Sequence, residues 1–318
     1  MRQYIIRRVL AMIPIILGIS LVIFLIFAMA PGDALTGTAH MSVTTKMQLR
    51  HQMHLDEPKI VQYFYWLKGA VHGDLGTSTF YKKSVSSVIN TYIWNSFYLG
   101  LLSTIAVVVI AIPIGVVAAT KQYSLFDSTS SVFALIAMSI PDFFVGLLLI
   151  SFFSMNLSIF PVSGMETVGS TATGFAKIVD IMYHMFLPFL VLTITSIAGI
   201  MKYMRSSMLE VISEDYIRTA RAKGLKEKVV IYKHALRNAL IPIITLLGFS
   251  IPALFSGAII TEQIFSWPGI GPVTYLAVLN RDYPLCMGIN MILAVLTLLG
   301  NLIADITYAV VDPRIRLK

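Results

Sequence analysis

Charge and cysteine are scarce in this sequence. Only 13% of its 318 residues are charged, against roughly 25% in an ordinary soluble domain, while 57% are hydrophobic and the mean hydropathy is +0.79. The single cysteine, Cys286, excludes a disulfide framework and a Cys-x-x-Cys metal pair, so we predict that it serves core packing. This composition indicates an integral membrane protein rather than a soluble domain.

The motifs of soluble enzymes are also missing. The sequence contains no Gly-x-x-x-x-Gly-Lys-Ser/Thr phosphate loop, no His-Glu-x-x-His zinc pair and no Gly-x-Ser-x-Gly nucleophile turn. We therefore predict no catalytic residue, no metal site and no cofactor in this chain. Any energy source must be an ion gradient or another subunit.

Six apolar runs are each close to the ~20 residues that cross ~30 Å of hydrocarbon. Ala28-Met29-Ala30 at the end of the first run imitates a signal-peptide cleavage site, but the apolar core is too long and Pro31 follows directly. We therefore predict an all-α polytopic membrane protein, with one transmembrane domain spanning residues 1–318. Its predicted spans are 9–30, 96–119, 131–154, 184–204, 239–261 and 286–310.

The basic residues show an orientation. Of the 24 lysines and arginines, 16 lie in the segments on the side of the N-terminus, as the positive-inside rule requires of cytoplasmic loops. Both termini and the loop 205–237 are therefore predicted to be cytoplasmic, and the polar segment 31–95 external. The net charge of +8 follows this topology, so it does not indicate nucleic-acid binding.

Four of the six histidines fall in the external segment: His40, His51, His54 and His72. Short helices are predicted over 44–54 and 62–71, and His51 and His54 lie one helical turn apart, where they could share a metal ion. No second spaced pair completes such a site, so a solvated helix face is the favoured interpretation.

Carboxylates inside apolar runs are costly and usually face a cavity or a partner. Asp142 lies in the middle of the third run, beside Ser139 and Pro141, and Pro141 should bend or break that helix. These three residues either line a substrate pathway or form a structural kink, and the sequence leaves both open. Glu262, at the end of the fifth run, is assigned to the pathway, in the outer gate region or its loop, and Asp305 to a structural polar contact or an interfacial position.

The chain is organised around the basic stretch from Asp215 to Pro242. Two helical patterns flank Gly224, which is predicted to adopt a left-handed conformation and turn a sharp corner. Arg218 and Arg221 should face water or a partner. The apolar stripes expected on the two sides of the corner are Ile212, Tyr216, Ala220 and then Val229, Tyr232, Leu236, Ala239.

This stretch resembles the EAA loop of inner-membrane permeases in binding-protein-dependent ATP-binding-cassette importers of type I, and more closely their dipeptide/oligopeptide branch. The likeness covers nearly the whole chain, although Thr219 stands where the general motif has glutamate, Lys202 where arginine is common and His54 where glycine is common. The matching segments are Asp215-Tyr216-Ile217-Arg218-Thr219-Ala220-Arg221-Ala222-Lys223-Gly224-Leu225, His234-Ala235-Leu236-Arg237-Asn238-Ala239-Leu240-x-Pro242, Pro31-Gly32-Asp33, Gly73-Asp74-Leu75-Gly76, Pro268-Gly269-x-Gly271 and Asp312-Pro313-Arg314-Ile315-Arg316.

The resemblance implies a permease of a bacterial or archaeal inner membrane, with six transmembrane helices and cytoplasmic coupling helices. It implies a second permease, two ATP-binding subunits that hold ATP and Mg²⁺, an extracytoplasmic peptide-binding protein and contact with membrane lipid. Di- or oligopeptides are the expected substrate, with nickel chelates or another small solute as the alternative. The residues expected to dock on an ATP-binding subunit are Asp215, Tyr216, Arg218, Thr219, Ala220, Arg221 and Gly224.

Two other function classes are less consistent with the sequence. An ion-coupled secondary carrier usually has several intramembrane ionisable residues and an internal repeat, whereas this chain has Asp142 deep in a span and no convincing repeat. A membrane enzyme would need a nucleophile or metal site that the sequence does not display.

Overall fold

The computed structural model describes residues 2–30, 43–52 and 54–311, and within these ranges the chain is almost entirely helical. Two stretches, Ile150–Asn156 and Val230–Ala235, are π-helical. The helices are α1 Arg2–Ala28, α2 Val43–Gln52, α3 Lys59–Val71, α4 Val85–Thr120, α5 Leu125–Ser139, α6 Asp142–Leu149, α7 Phe175–Ile212, α8 Asp215–Ala222, α9 Glu227–Val229, α10 Leu236–Ser256, α11 Ile259–Ile264, α12 Ile270–Leu279 and α13 Tyr283–Val311.

Five helical segments of the described chain are long and apolar enough to cross a membrane, and α5 with α6 makes a sixth if the bent pair is one span. Each of the six coincides with a predicted apolar run, which confirms an all-α polytopic protein. The helices are longer than the runs. The 36 residues of α4 and the 38 of α7 reach about 54 and 57 Å, well beyond the ~30 Å hydrocarbon layer, so both protrude from it.

The predicted break at Pro141 is present. α5 ends at Ser139, α6 begins at Asp142, and the two helices meet at 99°. The Pro141 carbonyl accepts hydrogen bonds from the amides of Phe144 (3.0 Å) and Val145 (3.2 Å), so this backbone acceptor at the break is satisfied.

The segment between α1 and α4 packs on one end of the bundle. Its two predicted helices are α2 and α3, and the turn that follows them is tied to the start of α13 through Asp282, which is fully buried. The Asp282 carboxylate accepts hydrogen bonds from the Ser78 hydroxyl and the Phe80 amide. Leu75 packs nearby in an apolar cluster that also contains Cys286, as predicted for a packing cysteine.

Two ion pairs join helices at the opposite end of the bundle. Arg8 of α1 lies 2.9 Å from Asp305 of α13, the structural contact expected of that carboxylate. Arg205 of α7 donates two hydrogen bonds to Asp127 of α5, at 2.6 and 2.8 Å, and Asp127 is only 3% exposed. This second pair joins residues 78 positions apart and was not predicted.

Candidate functional site

The short helix α8 is fixed to the bundle by its inner face. Ile217 is completely buried and Ala220 is 7% exposed. Both pack in one apolar cluster with the C-terminal ends of α4 and α7 and the start of α10. Burying an isoleucine contributes about 1.5–3 kcal/mol, so α8 is held on the bundle.

The apolar stripes predicted for this region were only partly correct in phase. Ala220 and Ala239 are buried, and Ile212 and Leu236 pack against the same cluster, but the other three members face outwards. These are Tyr216, which is 42% exposed, Val229 and Tyr232. The first stripe fails at Tyr216 because Ser213 and Glu214 separate α7 from α8, which restarts the helical period. The second fails at Val229 and Tyr232 because the π-helical stretch has more residues per turn than an α-helix, so the residues that line the core are Val230, Ile231, Ala235 and Ala239.

The outer face of α8 is polar and exposed. Asp215 and Arg218 form an exposed ion pair at 3.3 Å, and the Thr219 hydroxyl bonds to the carbonyl of Asp215 at 2.9 Å. At the edge of this face the Tyr216 hydroxyl accepts a hydrogen bond of 2.7 Å from the amide of Asn238. Ala220, which was expected among the docking residues, lies on the buried face and lets α8 sit close to its own bundle.

Gly224 turns the corner as predicted, with φ of +74°. The amides of Gly224 and Leu225 bond to the carbonyls of Arg221 (2.9 Å) and Ala220 (3.4 Å), which is the Schellman arrangement. Across the corner, Arg221 donates to both carboxylate oxygens of Glu227, at 3.2 and 2.8 Å, and this hydrogen bonding raises the pKa of the Arg221 guanidinium. The corner is therefore closed by backbone and side-chain contacts together.

A cavity of about 610 Å³ lies between α4, α7 and α10. Its walls are mostly apolar, and several hydroxyls face it: Ser96, Ser103, Thr104, Thr195, Ser196 and Ser250. Among the predicted pathway residues Glu262 lines this cavity. Ser139, Pro141 and Asp142 are not among its lining residues and lie exposed at the bend between α5 and α6.

Glu262 is the centre of a buried network at one end of the cavity. It is 1% exposed, and its carboxylate accepts hydrogen bonds from the amides of Gly271 (2.9 Å) and Ala258 (3.3 Å) and from the Ser96 hydroxyl. Gly269 and Gly271 are both so close to the carboxylate that an added Cβ would lie less than 3 Å from it. These glycines are therefore required for close backbone approach, a role that only the position of Glu262 reveals.

Among the described residues no group of three His, Cys, Asp or Glu side chains is placed to hold a metal ion. His51 bonds to Asp56 at 2.8 Å, which raises the pKa of His51, and His54 bonds to Glu57 at 2.9 Å. His54 has φ of +55°, a conformation that glycine adopts at lower cost, and this accounts for a position where glycine is common. His40 lies outside the described residues.

Comparison with known proteins agrees with this architecture. The chain is 45% identical to the oligopeptide transport system permease protein AppB of Bacillus subtilis (strain 168), over 99% of both chains. It is 40% identical to the dipeptide transport system permease protein DppB of Escherichia coli (strain K12), over the full length of both. The fold is similar to that of a chain from inward-facing structures of the MetNI methionine ABC transporter, with a TM-score of 0.56 and 17% identity over 71% of this chain and 96% of that one.

Two family models match the sequence. Residues 1–84 match the N-terminal model of binding-protein-dependent transport system membrane components, and residues 111–317 match the model of the inner membrane component itself. The second match covers most of the chain and includes α8, the corner at Gly224 and Glu262. The chain therefore belongs to the family of binding-protein-dependent transport system inner membrane components.

Proposed function

We propose that this chain is a permease subunit of an ATP-driven importer of di- or oligopeptides, in which α8 docks on an ATP-binding subunit. The observation that supports the proposal most directly is that α8 buries one face against the bundle and exposes the other. Its apolar face is locked to the bundle by Ile217 and Ala220, while its exposed polar face is free for a partner. The curated relatives named above, which match over the whole chain, are permeases of oligopeptide and dipeptide systems.

The connections of α8 indicate how it would act. It follows α7 directly and leads through α9 and the π-helical stretch into α10. α7 and α10 also supply, with α4, most of the residues that line the cavity. A displacement of α8 by a closing partner would therefore move two cavity walls at once, which is what an alternating-access cycle requires.

The docking surface in this proposal consists of Asp215, Tyr216, Arg218 and Thr219 on the outer face, supported by Arg221 and Gly224 at the corner. It faces the cytoplasm, together with both chain termini, in a bacterial or archaeal inner membrane. ATP and Mg²⁺ are held by two ATP-binding subunits, a second permease completes the translocation pathway, and an extracytoplasmic protein delivers the peptide.

The pathway is proposed to run through the cavity that Glu262 lines. If Asp142 lines the pathway of the assembled importer, Asp142→Ala should change the apparent affinity or rate of peptide uptake, whereas unchanged kinetics would assign Ser139, Pro141 and Asp142 to a structural kink. Glu262→Gln is the matched comparison at the cavity, because it removes a charge from the network and keeps the size of the side chain.

Co-purification tests the proposal as a whole. The tagged chain, extracted in mild detergent, should bring down two ATP-binding subunits and a second permease. With a binding protein present, di- to decapeptides should stimulate ATP hydrolysis and a nickel chelate should not. A chain that purifies alone and transports only when a proton gradient is present would refute the importer and support an ion-coupled carrier.

A further inference from the structure

A second groove lies beside α8, between Tyr216 and one side of the π-helical stretch and the start of α10. Its volume is about 690 Å³. It is distinct from the cavity that Glu262 lines, with which it shares no lining residue. The groove is lined by Tyr216, Lys233, His234, Arg237, Asn238, Leu240, Ile241 and Ile244.

The groove changes character along its length. Lys233 and Arg237 are exposed and lie one helical turn apart at the end of the groove nearer to α8, with His234 beside them. Leu240 and Ile244 follow Arg237 at the third and seventh positions, so the same helix side becomes apolar within about 10 Å. The cations at one end match the phosphate headgroup of a phospholipid, and the branched aliphatic side chains at the other end match its acyl chains.

Among the residues that the structure describes, the cations of the groove have no acidic partner. Within the described part of the chain, neither Lys233 nor Arg237 forms an ion pair, and none of the residues that line the groove is acidic. Three other arginines near this end have an acidic partner within the chain: Arg205 pairs with Asp127, Arg218 with Asp215 and Arg221 with Glu227. An anion from outside the chain is therefore the complement that this groove lacks.

We propose that this groove binds the headgroup of an anionic phospholipid of the inner leaflet. Lys233 and Arg237 hold the phosphate, and the acyl chains lie along Leu240, Ile241 and Ile244. A soluble subunit does not fit this surface as well, because Leu240, Ile241 and Ile244 belong to the uncharged apolar run 239–261 of a candidate membrane span. The assignment to the inner leaflet rests on the proposed orientation, in which α8 is cytoplasmic.

The position of the groove would make the lipid a structural support for the docking helix. The hydrogen bond between Tyr216 of α8 and Asn238 forms one edge of the groove, so a lipid bound there contacts α8 and α10 together. Anionic lipid should therefore stabilise α8 in its docked position.

The test is retention of lipid by the purified full chain. The chain is placed in nanodiscs of equal parts phosphatidylcholine and phosphatidylglycerol, and the lipid that remains bound after detergent extraction is identified by native mass spectrometry. Lys233→Gln with Arg237→Gln should weaken retention of phosphatidylglycerol roughly thirtyfold, since each cation near an anionic lipid surface contributes about fivefold. Lys233→Arg with Arg237→Lys should retain it.

The matched control is Lys226→Gln with Lys228→Gln, which removes the same charge from exposed positions of the same loop outside the groove. It should bind phosphatidylglycerol like the wild type, and soluble glycerol phosphate should not displace the lipid. Equal losses in both double variants would show general electrostatic attraction and overturn the site. Unchanged lipid retention, with loss of the ATP-binding subunits or the second permease on co-purification, would assign the groove to a protein partner. The lipid readout needs no partner subunit, so its failure is distinguishable from failure of the importer proposal.

Discussion

Replacing Gly224 by valine should uncouple ATP hydrolysis from transport. At φ of +74° an L-residue costs about 1–2 kcal/mol relative to glycine, and a β-branched residue costs more. Nothing lies within 4 Å of an added Cβ, so the effect is backbone strain and not a clash. That cost is comparable to the roughly 1.5–3 kcal/mol that burial of Ile217 contributes to holding α8, so in the valine variant α8 should be docked only part of the time.

The assay compares ATP hydrolysis with peptide uptake in proteoliposomes that contain the complete importer. We expect the ratio of peptide transported to ATP hydrolysed to fall by about tenfold in Gly224→Val, since ~1.4 kcal/mol changes an equilibrium tenfold. Gly224→Asn should be milder because asparagine tolerates the left-handed conformation better than other L-residues.

Gly169→Val is the matched control. Gly169 has φ of +79° and equally open surroundings, but it lies in the loop that precedes α7. It should lose similar thermal stability and keep its coupling ratio. Wild-type coupling in Gly224→Val, or equal uncoupling in both variants, would refute the role of the corner as a lever.

Three further predictions concern stability. Asp127→Ala should lower the free energy of unfolding by about 2–3 kcal/mol, because Arg205 would lose its bidentate partner at a site that is only partly open to water; a thermal melt that matches the wild type would contradict this. Gly269→Ala should cost roughly 1–3 kcal/mol in the same assay, because the new methyl group would overlap the Glu262 carboxylate, and an unchanged melting temperature would show that the network can relax. Changing His51 and His54 together to alanine should leave the melting temperature equally insensitive to added Ni²⁺, because each ring already bonds to its own carboxylate; a Ni²⁺-dependent shift present only in the wild type would revive the metal site.

Some features of the candidate site could be predicted from sequence because they depend on neighbouring residues alone. A break at Pro141 was predictable because the proline ring removes a backbone donor, although Pro113 and Pro188 lie inside continuous helices, so the ring alone does not decide a break. Gly224 adopts a left-handed conformation because the helix ends there and only glycine does so without strain. The apolar runs had to become helices, since a backbone in hydrocarbon must satisfy its own hydrogen bonds.

The phase of α8 could not be read in the same way. A break of two residues and a π-helical stretch each shift the helical period, so the sequence pattern placed Tyr216 inside, where the structure has Ile217. Which side of a short helix is buried depends on the surface that receives it, and here that surface is built from three other helices.

The sequence by itself determined that this chain spans a membrane, where its spans lie and where its central loop turns, because hydropathy and local backbone preference decide those properties. Only the tertiary structure decided the partners of its buried charges. Arg205 reaches Asp127 across 78 positions, and the hydroxyl of Ser96, beside Glu262, accepts a hydrogen bond from the amide of Ile270 across 174. A buried polar group must find a donor or acceptor somewhere in the bundle, and the packing of the helices determines which distant residue supplies it.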